Sequence, residues 1–279
     1  MSATSTLRPD EHMASLSDAR RGSSGFAVTL VRGRPRLAPG FTAEHEGKRR
    51  YVDLASVAAV PPGRAGRRVQ YWTFVGVAEE THRDVMRQLP LSYDVTVMAA
   101  RPMGWERAKT HGHVHVSRGV VQAGFPELYE VLVGRAGFLI QNIHPGPTST
   151  YAVLVEATAG QVVALPPLLH HVTVNLGDGP LVVADVTCRA SEDDYGRLRA
   201  AHGMAHHIGI DDRAVPNPAY QAAPSLERVT AEGWSGPSAA NVYRDLVDRP
   251  ASLAWLCSPE GFAARFPDLW HRVEAHVRP

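Results

Sequence analysis

The sequence predicts a mainly β fold, an antiparallel sandwich or barrel followed by a helical tail, and three observations carry that expectation. The runs YDVTVM, KTHGHVHV, ELYEVLVG, GFLIQNI, TYAVLVEA, QVVALPP, HHVTVNLG and LVVADVTC fill the middle third. Most are β-branched or alternating and are separated by Gly, Pro or polar turns, as antiparallel strands are. No crossover helix interrupts them, which disfavours a parallel α/β sheet. After Cys188 the alternation gives way to segments with helix start and stop signals.

Taken in chain order, residues 1–25 are rich in Ser, Thr, Ala, Arg and Asp with few large apolar groups. Such a segment cannot bury enough surface to offset its ordering entropy, so a flexible arm is expected. From Phe26, apolar runs such as Ala27 to Val31 and Val69 to Val77 read as strands bounded by Gly, Pro and Arg. Ala78 to Leu89 carries acids first and bases last, matching a short helix with its dipole complemented. Residues 194–203 predict a helical turn closed by Gly203, and VPNPAY at 215–220 an irregular stop. From Pro224 the tail reads as helical, with Ser238 as N-cap of AANVYRDLVD and Ser258-Pro259-Glu260 as a second start. Trp255, Leu256, Phe262, Phe266, Leu269 and Trp270 would anchor it on the barrel or on a second subunit. The expected division is an arm at 1–25, a barrel with N-terminal strands at 26–220 and a helical extension at 221–279.

Composition excludes several function classes. Of 279 residues 44% are apolar and 20% charged, enough apolar material for a sizeable core. Lys plus Arg number 29 against 28 Asp plus Glu, with no basic run, so nucleic acid is not an expected partner. Cys188 and Cys257 lie far apart and outside any CxxC, which argues against a disulfide framework and a thiolate zinc site. With no apolar stretch of signal-peptide or membrane-span length, a soluble cytoplasmic protein without membrane association is expected.

The chemistry concentrates on histidines. His113 and His115 are two apart in an apparent strand, so both side chains leave one face, as two ligands of one metal must, while Val114 faces away. A lone HxH is more often a solvated strand face. Glu127 opens the next strand, and barrel closure would turn its carboxylate toward the histidines. Further on, Gly160, Pro166, His171 and Asn175 punctuate the strands QVVAL and HVTVN.

These two segments resemble the paired motifs of the cupins, the first ending at Gly134. That resemblance implies a cupin double-stranded β-helix, a jelly-roll barrel, with the helical C-terminal extension appended. SYDVTVM, KTHGHVH, PELYEVL, LPPLLHHVTVNLGDGPL, DDYG and VPNPAY, in that order, are further similar to the cupin-type glucose-6-phosphate isomerases of archaea, over about Val69 to Tyr220. Six ordered motifs are far more specific than one.

The resemblance implies a metal held by His113, His115, Glu127 and His171, and a sugar phosphate gripped by Thr96, Thr110 and Gly112. Two hydroxyls and an unobstructed backbone N–H make physical sense as an anion cradle. Tyr129 would line the sugar pocket. Three positions depart from the family: Leu168 and Thr187 stand where tyrosines are usual, and Asp193 where a histidine precedes DYG. The segment between His115 and Glu127 is also longer than usual.

The expected function is therefore aldose–ketose isomerisation of a sugar phosphate, glucose 6-phosphate/fructose 6-phosphate or a related pair, as in glycolysis and gluconeogenesis. Glu127 would move the proton between C1 and C2, aided by a divalent transition metal, with Fe2+ favoured over Mn2+, Ni2+ or Zn2+. A homodimer is the expected assembly. The lost tyrosines favour an alternative, a cupin turned to epimerisation or iron-dependent oxygenation. A third reading is a sugar-phosphate-binding cupin without turnover. Of the other histidines, His170 should point away from His171, His111 should sit at the rim, and His202, His206 and His207 should be surface residues. Asp194 and Tyr195 should fix the chain's exit from the barrel.

Overall fold

The computed structural model describes residues 28–31, 34–117, 120–236 and 241–277. The expected arm at 1–25 and the expected cap at Ser238 lie outside the described residues. The N-terminal part supplies β1 (Val28–Val31), β2 (Arg34–Leu37), β3 (Phe41–Thr42), β4 (His45–Arg50), β5 (Val69–Val75) and β6 (Ala78–Glu79). The central run supplies β7 (Leu91–Met98), β8 (Val114–Ser117), β9 (Val120–Gly124), β10 (Glu127–Val133), β11 (Arg135–Gln141) and β12 (Ala152–Thr158), then β13 (Val162–Leu165), β14 (His170–Asn175) and β15 (Leu181–Cys188). After these come β16 (Ser191–Asp194), β17 (His206–Ile208), β18 (Ala214–Pro216) and β19 (Leu226–Thr230). The α-helices are α1 (Arg83–Gln88), α2 (Gly196–Ala200), α3 (Ala231–Ser235), α4 (Val242–Asp248), α5 (Pro259–Arg265) and α6 (Pro267–Val273).

The strands form a mainly β jelly-roll barrel. One wall is the six-stranded sheet β13-β10-β15-β7-β5-β4, and the other is the four-stranded sheet β14-β11-β12-β19. Their inner faces meet where Tyr129 of β10 packs on Phe138 of β11, ring centroids 4.8 Å apart. A third sheet, β16-β8-β9, joins the second wall through the bridge between His113 and His171. The lengthened segment between His115 and Glu127 is β9, folded back antiparallel on β8.

Alternation along β7 separates core from cavity. Leu91, Tyr93, Val95 and Val97 are buried, and Tyr93 meets Tyr243 of α4 with centroids 5.2 Å apart. Ser92, Asp94 and Thr96 line the cavity. The C-terminal helices therefore dock on this chain's own barrel, where Leu246, Leu256, Phe262 and Val273 are fully buried. Each such side chain contributes about 1.5–3 kcal/mol. The extension also protects a sheet edge: Trp234 Nε1 donates to Ala164 O at 2.9 Å, and Ala164 N donates to Ser235 Oγ at 2.9 Å. Both free backbone groups of that residue on edge strand β13 are thereby satisfied. At the opposite edge, β4 is exposed throughout and carries Lys48, Arg49 and Arg50, charges that discourage pairing with another chain.

Several expectations change in detail. The helix expected over Ala78 to Leu89 begins only at Arg83, after a 3-10 turn, because Ala78 and Glu79 pair with β3. KTHGHVHV is continuous strand only from Val114, since Gly112 takes φ 79° and breaks the run. The tail opens as a strand rather than a helix, β19 adding parallel to β12. Ser258 caps α5 as expected, accepting from Gly261 N at 2.9 Å, and Asn241 caps α4, accepting from Arg244 N at 2.9 Å. In VPNPAY, Asn217 Nδ2 donates to the carbonyls of Ala201, His202 and Met204, which makes the irregular stop a lock. Cys188 and Cys257 are free thiols.

His206 and His207 correct the surface reading: both are buried. For His207 the partner is Glu106, whose Oε1 lies 2.6 Å from Lys109 Nζ and 2.9 Å from His207 Nδ1. Its Oε2 accepts from Ala59 N at 2.8 Å, and Lys109 Nζ also donates to Val57 O at 2.6 Å. This buried network pins the segment that leads into Thr110, Gly112 and His113. Burial raises the Glu106 carboxyl, but Lys109 and His207 outweigh it and bring it down to about 2 from 4.5. A folded value below the unfolded one means that the contribution is whole above about pH 4.5 and is lost as the pH falls toward 2. Lys109→Met, which strands the carboxylate, is expected to cost about 3–5 kcal/mol in urea unfolding at pH 7. A loss below about 1 kcal/mol would show that the network does not hold this segment.

Candidate metal centre and substrate cavity

Four side chains converge inside the barrel. His113 is fixed by its backbone exchange with His171, with N···O distances of 3.2 and 2.9 Å. His115 follows on β8, and the two imidazoles stack with centroids 4.7 Å apart and planes within 3°. His171, on β14, presents its ring nearly perpendicular to both. Glu127, first residue of β10, places Oε2 3.0 Å from His171 Nε2 and 3.8 Å from His115 Nε2. One donor atom from each of the four lies within 4.8 Å of all the others.

The donor chemistry fits a divalent cation. Burial, with the neighbouring imidazoles adding to it, drives His113 well below the ordinary histidine value. Burial also lowers His115, against the Glu127 carboxylate that raises it. The His113 ring is thus neutral, with a lone pair to offer. Burial raises Glu127, but His115 and His171 outweigh it and the net shift is downward, which keeps the carboxylate ionised. His171 Nε2 and Glu127 Oε2 are close but misaligned for a hydrogen bond, so both stay unpartnered. Buried polar atoms without partners are rare, and a cation between them would satisfy both.

His113, His115 and Glu127 lie in the wall of a cavity of about 680 Å³. Thr96, Thr110, Gly112 and Tyr129, the residues expected to grip substrate, all line it. Thr110 Oγ1 accepts from Thr173 N at 3.0 Å, leaving its proton free to donate. A Cβ on Gly112 would meet Val172 Cγ2 at 2.3 Å and His171 O at 2.8 Å, so a side chain there would displace the ligand strand itself. Tyr129 lies beside Glu127, whose carboxylate adds to burial in raising the phenol. Of the three departures, Thr187 and Asp193 line the cavity. Leu168 is instead packed against Gly124, where an added Cβ would meet it at 2.7 Å.

His170 is buried, with its pKa brought down to about 3 by burial, then by Arg197 and His171. His111 bonds Gly112 O through Nδ1 at 3.0 Å and meets Tyr195 edge-on at 5.0 Å, beside the cluster rather than in it.

Two acids were not anticipated. Asp94 and Asp185 are direct cross-strand partners on β7 and β15, and Asp185 is also opposite Tyr129 on β10. Asp94 Oδ1 accepts from Ser92 Oγ at 2.6 Å and Gly76 N at 2.8 Å. Burial pushes this carboxyl up to about 6, against those hydrogen bonds that lower it. Burial, then Glu127 and Asp94, push Asp185 well above the ordinary value, so it meets Glu127 as a neutral acid. The only hint in the sequence is one acid inside each of the apolar runs SYDVTVM and LVVADVTC. Lys48 and Arg49 of β4 bring positive charge to the same cavity, Arg49 beside Tyr71 and Tyr195.

A jelly-roll barrel with three histidines and a glutamate converging on its interior is the architecture of a cupin. The glucose-6-phosphate isomerase (GPI) family model matches residues 48–225, well over half of the chain. The chain belongs to that family. A glucose-6-phosphate isomerase of Thermococcus onnurineus is 27% identical over 165 residues, covering 52% of this chain and 82% of that protein. One from Pyrococcus horikoshii is 31% identical over 108 residues, covering 39% of this chain and 52% of that protein. A solved oxalate decarboxylase of Bacillus subtilis aligns over 44% of this chain and 28% of that one at 16% identity and a TM-score of 0.29, too slight a likeness to carry an argument.

Proposed function

We propose that this protein is a metal-dependent aldose–ketose isomerase of a sugar phosphate, with glucose 6-phosphate and fructose 6-phosphate the first pair to examine. The observation that carries the reading is the convergence of four donor atoms within 4.8 Å beside a cavity that also presents Thr96, Thr110 and Gly112. Family membership favours it. His113, His115, Glu127 and His171 would hold a divalent cation, Fe2+ being our first choice, and the cation would supply Lewis acidity toward charge developing on the sugar's C1 and C2 oxygens. Glu127 carries the proton between the two carbons, kept ionised by His115 and His171 and oriented by the Tyr129 hydroxyl. Thr96 and Thr110 donate hydroxyl protons to the phosphate, while Lys48 and Arg49 attract it to the cavity. Among the described residues no helix is long and apolar enough to cross a membrane. The division into arm, barrel and extension, a cytoplasmic setting and a homodimer belong to this same proposal.

A second reading, epimerisation or another reaction on a polyhydroxylated substrate, is favoured by one observation: Asp94 is two residues from Thr96 on the same strand face. A carboxyl so placed disfavours a phosphate dianion nearby unless it is protonated. Because Thr187 and Asp193 alter the lining of the cavity, fructose 6-phosphate turnover is expected to be slow, or another phosphorylated sugar to be preferred. Inorganic phosphate or a sugar phosphate should raise the unfolding temperature, ligand at about 100 times its Kd adding about 2.7 kcal/mol, and Thr110→Val should reduce that protection. Absence of protection by any phosphorylated ligand, together with no interconversion of glucose 6-phosphate and fructose 6-phosphate by metal-loaded protein, would leave the second reading in front.

A further inference from the structure

Asp193 stands directly opposite His115 in the β16–β8 pairing, so its side chain leaves the same face as that histidine. Its Oδ1 lies 3.5 Å from His115 Nε2 and 3.7 Å from His113 Nε2. Glu127 Oε2, by comparison, is 3.8 Å from His115 Nε2. Ligand atoms that share a cation at about 2.1 Å sit about 3–3.5 Å apart when adjacent, so the Asp193 oxygen stands close to neighbouring-ligand distance from these two donors.

The other Asp193 oxygen is held: Tyr195 OH donates to Oδ2 at 2.6 Å, and the positive charge of Arg49 lies beside that hydroxyl. The carboxylate is thus oriented with one oxygen held and the other turned toward two imidazole nitrogens. At 3.5 and 3.7 Å it makes hydrogen bonds with neither. Once both Nε2 lone pairs are given to a cation, those atoms carry no proton that Asp193 could accept, and its electrostatic partner on that side is the cation itself.

We infer that Asp193 is a fifth ligand of the metal centre, through Oδ1, and that Tyr195 is the residue that positions it. This rests on the metal reading above. Three histidines with a glutamate and an aspartate bring two negative charges to a divalent cation, where the four-residue set brings one. The added anionic oxygen favours cations that accept hard oxygen ligands, such as Mn2+ and Fe2+, over softer competitors. Its side chain is 43% exposed, so unlike the four buried or half-buried ligands it stands where it can yield to a substrate oxygen entering from the cavity.

The test is coordination, not turnover. Metal-free wild type, Asp193→Ala, Asp193→Asn and Tyr195→Phe are titrated with Co2+ and followed by visible absorption, which intensifies as coordination number falls. Asp193→Ala is expected to bind Co2+ at least about tenfold more weakly and with a more intense spectrum. Asp193→Asn should lie between the two, and Tyr195→Phe should weaken binding by less. Metal-free melting temperatures confirm that the variants fold. A wild-type spectrum in Asp193→Ala, whatever its affinity, overturns the fifth ligand and leaves the four-residue centre intact. No Co2+ binding by wild type overturns both.

Discussion

Replacing Glu127 with glutamine is expected to lower turnover by about 10²- to 10⁴-fold in metal-loaded protein, with KM changed far less. The amide cannot take a proton from carbon at neutral pH, and it cannot return one. Shape is nearly conserved, so the phosphate contacts proposed for Thr96, Thr110 and Gly112 should survive. The carboxylate's surroundings make the expectation sharp. His115 and His171 bring its pKa below the ordinary value, while Tyr129 and Asp185 stand beside it. Glutamine would also be a poorer ligand, so metal content must be equalised before rates are compared. Wild-type turnover in a fully loaded variant would remove Glu127 from the proton transfer and leave it a ligand only.

Much of this centre is legible in the sequence: parity pairs His113 with His115, and the resemblance to the cupins adds Glu127 and His171. Two histidines two residues apart must share a strand face, and Gly112 before them signals a backbone that a side chain would obstruct. What stays hidden depends on register between strands far apart in sequence. Asp185 meets Asp94 and Tyr129 only because β15 lies between β7 and β10 in one particular alignment. Asp193 joins the histidines only because β16 pairs with β8 so that it faces His115. A one-residue slip in either pairing would turn those acids away. The burial of His207 is hidden for a related reason: its partner Glu106 lies far earlier in the chain, and no local pattern reports that contact. β19 reads poorly as a strand because it is a short, largely exposed edge that pairs with β12 on one side.

His171→Ala is expected to abolish stabilisation by metal. A cation bound only by the folded state at about 1,000 times its Kd adds about 4.1 kcal/mol, which for a chain of this size is a rise of many degrees in unfolding temperature. His171 is the residue most strongly implicated, since it faces both histidine rings and comes nearest to Glu127. The alanine variant should melt close to the metal-free wild type and should gain nothing from added Fe2+, Mn2+, Ni2+ or Zn2+. An undiminished rise would mean that the cation binds elsewhere.

The convergence of His113, His115, Glu127 and His171 on one cation is the central claim, and elemental analysis tests it most directly. Protein reconstituted separately with iron, manganese, nickel and zinc, then freed of loosely bound ions, should retain about one transition-metal ion per chain with at least one of them. His113→Ala, treated identically, should retain essentially none. No metal retained by the wild type with any of the four, or equal retention by the variant, would contradict the account.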